Sequence, residues 1–299
     1  MHTTYKGAFS AGINSDDYTL ADFLESDDSD LFLKAKTFTA FLDDWVNKGT
    51  YSYHRLATSA NTNRTTIRDR ATGRDREMIV MASNNYLGLN THPEVAAAAH
   101  EAIAKYGTGT CGSRFLSGTY DLVEELERRL AAFEHTEAAV VFTSGYQANV
   151  GTISALLRSR DFVFIDRLSH ASIIDGCRLS GCKMHTFKHN DMRDLARLLG
   201  KYGGLEGGKL IIVDGIFSMD GDMAPLSEIV ELAGRYGARV MVDEAHATGV
   251  VGQTGRGTVE HFGLKGKVDI VMGTFSKTFA ATGGFIAASR AVANYVRHY

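Results

Sequence analysis

Short apolar runs alternate with longer amphipathic stretches along most of the chain. The apolar runs after Glu137 are AAVVFTS, DFVFID, KLIIVDG, ARVMVDEAH and VDIVMGT. Between them lie stretches with helical periodicity, such as SGYQANVGTISALL and APLSEIVELAGRYG. Continuous apolar strands that alternate with helices are typical of a mostly parallel sheet covered by helices on both faces. The pattern therefore predicts an α/β fold.

The first part of the chain has a different character, and we place a boundary near residue 75. An acidic cluster, Glu25 to Asp30, leads into a predicted helix. One face of that helix carries apolar side chains at helical spacing: Phe38, Phe41, Leu42 and Trp45. This stripe packs either within its own domain or, as an arm, on a second subunit. We predict an N-terminal arm and small-domain segment over residues 1–75, and a large ligand-binding domain over residues 76–299.

The composition is that of a soluble globular protein with a substantial core. Of the 299 residues, 44% are hydrophobic, and 32 basic against 35 acidic side chains leave a net charge of −3. The chain has no long basic block that would follow a phosphate backbone, so no nucleic-acid partner is expected. Cys111, Cys177 and Cys182 form neither a CxxC pair nor an even set, which favours reduced thiols and a cytoplasmic location.

A long uncharged window, residues 138–157, has the length of a membrane span. Its middle holds polar side chains that would lack partners in lipid: Thr143, Ser144, Gln147 and Asn149. A strand, a polar turn and a helix explain the window better, so no transmembrane segment is expected. The N-terminal sequence MHTTYKGAFSAG has neither an apolar signal core nor an arginine-rich transit pattern.

Candidate chemistry lies where the predicted strands end, because ligands of open α/β sheets bind at the carboxyl ends of the strands. Polar residues at such ends are Ser144, Asp166, Asp214, Asp243 and Thr274. The sequence VDEAH around Asp243 resembles the magnesium and water site of a helicase-type ATPase. We expect these strand ends to form the functional site.

An ATPase would also need a glycine-rich phosphate loop that opens a helix and ends in Lys followed by Ser or Thr. Gly203, Gly208 and Lys209 fit the first part of that pattern, but Leu210 stands where the hydroxyl should be. Lys209 also leads into an apolar strand, so the loop cannot direct helix amides at a phosphate. These features argue against the ATPase interpretation, and no metal site is expected.

Two other segments provide an anion site and an amine. In FTSGYQAN a strand ends and a helix begins at Ser144 and Gly145, where free amides bind anions, although a plain serine N-cap explains the segment equally well. In GTFSKTFAATGG, the hydroxyls of Thr274 and Ser276 can bind phosphate. Lys277 follows directly, and a partly desolvated lysine there has the lowered pKa that imine chemistry requires.

Asp243 completes the constellation. A buried carboxylate needs a cationic hydrogen-bonding partner, and a protonated pyridine nitrogen is such a partner. His246, three residues further on, can reach the neighbouring ring oxygen. A phosphate-binding helix start, a carboxylate for a pyridinium nitrogen and an amine for an imine together describe a pyridoxal 5'-phosphate site.

A series of motifs between about Ile79 and Phe285 extends this pattern: ASNNYLGLNTHP, GTGTCGSRFLSGT, FTSGYQANVG, SHASIIDGCRLS, HND, DGIFSMDGDMAPL, VDEAHATGVVGQTGRG and GTFSKTFAATGGF. With this series the chain resembles the α-oxoamine synthases, a family of fold-type I pyridoxal phosphate enzymes. The resemblance implies a mostly parallel sheet flanked by helices. It also implies a small C-terminal domain, which we expect to be missing because the chain stops at Tyr299.

The resemblance assigns roles by matching position. Lys277 matches the imine-forming lysine, Asp243 the carboxylate on the pyridine nitrogen, and His246 a residue near the ring hydroxyl. His170 matches the histidine that stacks on the ring. Gly145 and Tyr146 match the phosphate-contacting turn, and Thr274 matches a phosphate hydroxyl. Ser218 matches a polar contact beside the ring, and Asn84 or Asn85 matches the substrate-contacting asparagine.

The family condenses an amino acid with an acyl thioester and releases carbon dioxide, which gives an α-amino ketone. By resemblance we expect a homodimer with this activity, with Lys277 and His170 as catalytic residues and a thioester on coenzyme A or an acyl-carrier protein. The GTFSK segment is nearest to the serine palmitoyltransferase branch. Two alternatives stay open: another enzyme of the same fold, such as an aminotransferase or decarboxylase, and a truncated non-catalytic subunit.

Overall fold

A computed structural model describes residues 13–70 and 72–299 and divides the chain into two compact units. The first unit falls within residues 1–60 and 64–78, and the second comprises residues 61–63 and 79–299.

The first unit is built around one helix, α1, which spans Leu33–Asn47. Short 3-10 helices precede it at Ser15–Asp17 and Leu20–Phe23. A small sheet follows, with strands β1 (Leu56–Ala57), β2 (Arg64–Arg68) and β3 (Asp75–Ile79) in that order.

The apolar face of α1 packs on the N-terminal segment of the same unit. Phe41 is only 2% exposed, and its ring centroid lies 4.9 Å from that of Phe23. The other members of this aromatic cluster are Ile13, Tyr18, Phe38, Leu42 and Trp45. The stripe predicted from the sequence therefore covers an apolar core in its own unit.

The second unit contains a seven-stranded sheet in the order β4-β10-β9-β8-β7-β5-β6. Its strands are β4 (Ala138–Phe142), β5 (Phe162–Asp166), β6 (Lys183–Phe187), β7 (Lys209–Asp214), β8 (Arg239–Asp243), β9 (Ile270–Thr274) and β10 (Gly284–Ala288). Neighbouring strands from β6 to β9 are parallel, and β10 runs antiparallel to both β4 and β9. The predicted mostly parallel α/β sheet is confirmed.

Helices precede, connect and follow these strands along the chain. They are α2 (Pro93–Tyr106), α3 (Asp121–Phe133), α4 (Gly145–Leu156), α5 (Ala171–Ser180), α6 (Met192–Tyr202), α7 (Leu226–Tyr236), α8 (Thr258–His261) and α9 (Arg290–His298). The window 138–157 is thus β4, a turn and α4, as its polar middle predicted. No helix in the described part of the chain has the length and apolar character needed to cross a membrane.

Both faces of the sheet are buried, which explains the continuous apolar runs. Successive side chains of a strand point to opposite faces. In β5, Val163 and Ile165 belong to the cluster that includes α4 and α5 residues, whereas Phe162 and Phe164 belong to the cluster that includes α6 and α7 residues. The central strands are therefore apolar at nearly every position, and a polar residue stands at the carboxyl end of each.

The register of the strands brings those polar residues together. Asp214 pairs with Asp243 across β7 and β8, and Asp243 pairs with Met272 of β9, two residues before Thr274. The carboxyl ends of the central strands therefore form one edge, and the predicted functional residues lie along it.

Candidate active site

A cavity of about 250 Å³ opens at the carboxyl edge of the central strands. This volume is below the ~300–1,000 Å³ range of sites for drug-sized ligands, so the cavity is suited to a small molecule. Its lining residues come from the ends of five strands and the segments that follow them: Ser144, Gly145, Tyr146, Asn149, His170, Ser172, Asp214, Asp243, Ala245, His246, Met272, Thr274, Ser276 and Lys277.

An amine and an imidazole face each other in this cavity. Lys277 Nζ lies 2.8 Å from His246 Nε2, and His246 Nδ1 lies 2.7 Å from the hydroxyl of Tyr86. A neutral imidazole has one donor and one acceptor nitrogen, so the three groups form a continuous hydrogen-bonded chain. The orientation of His246 is therefore fixed from both sides.

Burial lowers the pKa of both nitrogen groups. Burial lowers the pKa of Lys277 from its ordinary value, although Asp243 and Asp214 oppose the shift. Burial, together with the neighbouring Lys277, lowers the pKa of His246 to about 4. At neutral pH His246 is therefore uncharged, and Lys277 loses its proton more readily than a lysine in water.

Two buried carboxyl groups form the floor of the cavity. Asp243 and Asp214 are each 4% exposed and belong to paired positions of β8 and β7. Burial and the neighbouring Asp243 raise the pKa of Asp214 to about 8. Asp214 therefore keeps its proton at neutral pH more readily than a carboxyl in water.

The oxygens of Asp243 are held in place by neutral donors. The amide of Asn149 donates to Asp243 Oδ2 at 2.7 Å, and the backbone N–H of Ala245 donates to Asp243 Oδ1 at 2.9 Å. Neither donor is a cation. A positively charged group inside the cavity would therefore complete the partners of this buried carboxylate.

His170 borders the cavity at the start of α5. Its backbone N–H donates to Asp214 Oδ1 at 3.2 Å, and its Nδ1 accepts from the Ser172 backbone N–H and lies 2.7 Å from Ser172 Oγ. These bonds anchor the imidazole as the N-cap of the helix. The ring is therefore positioned before any ligand binds.

Ser144 forms the N-cap that the sequence allowed at the start of α4, and the first residues of this helix line the cavity. Ser144 caps the helix by accepting from the Gln147 N–H, and the amides of Gly145 and Tyr146 precede the first intrahelical bond. A Cβ on Gly145 would lie 2.9 Å from Thr274 Cβ, so only glycine lets the helix approach β9 this closely. The hydroxyls of Thr274 and Ser276 lie 2.9 Å apart beside it. Amides and hydroxyls thus converge where a phosphate can bind.

Three predicted residues do not line the cavity. Ser218 is exposed in the loop that follows β7. Asn84 Oδ1 lies 3.5 Å from the Tyr86 hydroxyl, whose other partner is His246, so this segment reaches the edge of the site. The amide of Asn85 instead donates to Asn90 at 2.7 Å.

The sequence interpretation assigned no role to Asn149 and Tyr86, which hydrogen-bond to Asp243 and His246. Asn149 is four positions after Gly145, one helical turn further, so it lies on the same face of α4 as the anion site. Tyr86 directly follows the two predicted asparagines. Helical spacing could have found Asn149, whereas the contact of Tyr86 with His246 depends on tertiary structure.

A larger cavity of about 860 Å³ lies at the amino edge of the sheet, but its acidic groups already have partners. Asp161 accepts from the backbone N–H groups of Arg158 and Gly208, and Asp269 pairs with Arg239. The chemistry of the chain is therefore at the carboxyl edge.

Comparison with known proteins identifies the family of the chain. The family model described as aminotransferase class I and II matches residues 76–299. A putative 8-amino-7-oxononanoate synthase of Acetivibrio thermocellus is 48% identical over 87% of this chain and 65% of its own length. A serine palmitoyltransferase of Sphingobacterium spiritivorum is 44% identical over 86% of this chain and 63% of its own length.

Solved structures give the same result. A high-resolution structure of SPT with a PLP internal aldimine superposes with a TM-score of 0.83 and 39% identity, and the match covers 90% of this chain and 66% of that one. The chain covers between 43% and 65% of the length of the curated relatives that it matches best. The chain belongs to the aminotransferase class I and II family and, within it, resembles the α-oxoamine synthases, as its motifs predicted.

Proposed function

We propose that this chain carries the cofactor-binding site of a pyridoxal 5'-phosphate-dependent α-oxoamine synthase, which condenses a small amino acid with an acyl thioester and releases carbon dioxide. One observation carries the proposal. The amine of Lys277 has a lowered pKa and lines a small cavity together with the buried carboxyl of Asp243 and the start of α4. The SPT structure with PLP supports the same cofactor.

The residues of the cavity fit the parts of this cofactor. Asp243 would bind the protonated ring nitrogen, which is the cation that its buried carboxylate needs. The start of α4 at Gly145 and Tyr146, with Thr274 and Ser276, would bind the phosphate. His170 would cover the ring, and His246 would contact the ring hydroxyl. When bound, pyridoxal phosphate withdraws electrons from the amino acid, so that bonds at its α-carbon break more easily.

The chain itself provides the groups that form bonds and move protons. Lys277 Nζ, because its pKa is lowered, can act as a nucleophile toward a carbonyl and can hold the proton that leaves the α-carbon. His246 stays neutral, so its Nε2 orients the lysine without competing for positive charge. His170, fixed by Ser172 and Asp214, would orient the ring and the substrate carboxylate.

Two further assignments are carried over as proposals. Asn84 and Asn85 would contact the substrate, because the neighbouring Tyr86 reaches His246 at the edge of the cavity. Ser218, in the loop after β7, is proposed as a polar contact beside the ring. The acyl donor is a thioester of coenzyme A or of an acyl-carrier protein, in keeping with the relatives, and a serine palmitoyltransferase-like substrate pair is preferred.

Dependence on the thioester tests the proposed reaction. We expect the purified protein, loaded with pyridoxal phosphate, to release carbon dioxide from an amino acid only when an acyl thioester is present. The measurement is capture of labelled carbon dioxide from a carboxyl-labelled amino acid, with a 2-oxo acid in place of the thioester as the control. Equal release without thioester would indicate a decarboxylase, and amino transfer to the 2-oxo acid would indicate an aminotransferase. Either result would contradict the proposal.

We also propose that the protein is a homodimer. All but two residues of α2 are exposed, and none is buried. Large apolar side chains are exposed on the same unit: Met81, Leu87, Val95, Ile103, Phe115 and Leu116. Apolar surface of this extent is typical of an interface, and a second copy of the chain is the partner that the family suggests. Sedimentation velocity is expected to give twice the monomer mass, and a monomer at micromolar concentration would contradict the dimer.

A cytoplasmic location is proposed on the state of the cysteines. Cys111, Cys177 and Cys182 are all free thiols, as is usual in a reducing compartment.

A further inference from the structure

His189 bridges two carboxylates at the carboxyl edge of the sheet. It stands between β6 and α6 in the HND motif, to which the cofactor site assigns no role. Its Nδ1 lies 3.0 Å from Asp166 Oδ1, and its Nε2 lies 2.8 Å from Asp222 Oδ2. One carboxylate terminates β5 and the other belongs to the loop after β7. A single imidazole therefore connects three loops.

The geometry indicates the protonation state of this bridge. Ionised carboxylate oxygens only accept hydrogen bonds, so each ring nitrogen must donate. Only the imidazolium form carries a proton on both nitrogens. A neutral ring would place one nitrogen lone pair against a carboxylate oxygen. The two short contacts are thus satisfied together when His189 is charged.

Asp166 connects His189 to the turn that precedes His170. Its Oδ1 also accepts from the Leu168 N–H at 2.8 Å, and its backbone carbonyl accepts from the Ser169 N–H at 3.0 Å. These bonds shape the turn that ends at His170, which lines the cavity. The side chain of Asp166 is fully buried, so loss of His189 would leave a buried carboxylate without its charged partner.

Asp222 extends the bridge to the loop that carries Ser218. Asn190 donates to Asp222 Oδ2 at 2.9 Å, beside His189. The backbone carbonyl of Asp222 accepts from the Phe217 N–H at 3.0 Å, which closes the loop on itself. The ring of Phe217 packs edge-on against His189 with centroids 4.6 Å apart. Residues 217–222 are therefore held from within and by the imidazole.

We propose that His189, as an imidazolium, is a positioning residue that ties the turn before His170 to the loop containing Ser218. The role rests on the proposed function, because His170 acts there as the residue that orients the ring. His189 acts on these two segments through Asp166 and Asp222.

The stability of the two loops depends on pH because it depends on the proton that His189 carries. Burial acts to lower the pKa of His189, but hydrogen bonds to Asp166 and Asp222 outweigh it and raise the pKa above the ordinary value of 6.5. Among the described residues, these two carboxylates are the charged groups that contact its ring. A raised pKa means that the stabilisation is complete below pH 6.5 and is lost as the pH rises through the folded-state value.

Hydrogen exchange of the cofactor-free protein tests the bridge directly. At pH 6, His189→Ala should speed amide exchange of residues 167–170 and 217–222 by about tenfold or more, since it breaks two hydrogen bonds to charged groups. The control, His261→Ala, removes an exposed histidine of the same unit and should change these rates less than about twofold. The difference between His189→Ala and the unmodified protein should shrink above the pKa of the bridge.

A double-mutant cycle separates the bridge from a general loss of structure. If His189 acts through Asp222, then His189→Ala should add little to the exchange of residues 217–222 in an Asp222→Ala background. Fully additive effects, or unchanged exchange in His189→Ala, would overturn the inference.

The cofactor provides an independent measurement. Titration of each variant with pyridoxal phosphate, followed by absorbance, should show weaker binding in His189→Ala than in His261→Ala. If the unmodified protein does not bind the cofactor, the proposed function fails while the exchange result still decides the role of His189. If the cofactor binds but exchange is unchanged, the inference alone fails.

Discussion

Lys277→Ala is expected to abolish both the covalent attachment of pyridoxal phosphate and turnover. Lys277 is the amine that lies in the cavity within 2.8 Å of His246, and its lowered pKa makes it the nucleophile and the proton carrier. Loss of a positioned acid–base group alone costs about 10²–10⁴-fold in rate, and loss of the covalent link adds to this. The measurements are the visible absorption of lysine-bound cofactor and thioester-dependent release of carbon dioxide.

Two variants distinguish this role from simple removal of a charge. Lys277→Arg keeps a cation near Asp243 but has no nucleophilic amine, so it should be as inactive as the alanine variant. Lys265→Ala removes an exposed lysine of the same unit and should leave absorption and rate unchanged. A lysine-type absorption band that persists in Lys277→Ala would refute the assignment of the site.

The local pattern predicted most of the sheet because burial on both faces leaves a clear signal. The five apolar runs correspond to β4, β5, β7, β8 and β9. The pattern did not single out β10, Gly284–Ala288, as a strand. Its glycine and alanines have low strand propensity, and it forms because β4 and β9 flank it with hydrogen-bonding edges. β6 lies at the edge of the sheet, with mixed burial, and shows no continuous apolar run.

In the candidate site, too, some features could be predicted from local sequence and others depend on tertiary contacts. Lys277, Asp243 and His246 could be predicted because each follows a strand whose end the apolar pattern marks. The contacts that set their properties could not, since Tyr86 and His246 are 160 residues apart and Asn149 and Asp243 are 94 apart. Lowered or raised pKa values depend on burial and on neighbours across the sheet, and no local pattern encodes those neighbours.

Asp243→Asn is expected to weaken the binding of pyridoxal phosphate by about 10- to 100-fold, because a charge-assisted hydrogen bond to a ring nitrogen contributes roughly 1.5–3 kcal/mol. Asparagine has one acceptor oxygen in place of two. Both oxygens of Asp243 already accept bonds, from Asn149 and from the Ala245 N–H, so the new amide would also face a donor. Absorbance titration gives the affinity, and turnover should fall further because the ring nitrogen loses its proton.

Asp214→Asn is the matched control, because it changes an equally buried carboxyl at the paired position of the neighbouring strand. The pKa of Asp214 is raised to about 8 by burial and by Asp243, so at pH 7 an amide replaces a group that is already mostly uncharged. Its backbone contact also survives, since an amide oxygen can accept from the His170 N–H. We therefore expect Asp214→Asn to bind the cofactor with nearly normal affinity at pH 7. Equal loss of affinity in both variants would show that the negative charge is shared, and it would place the pyridinium partner on the pair instead of on Asp243.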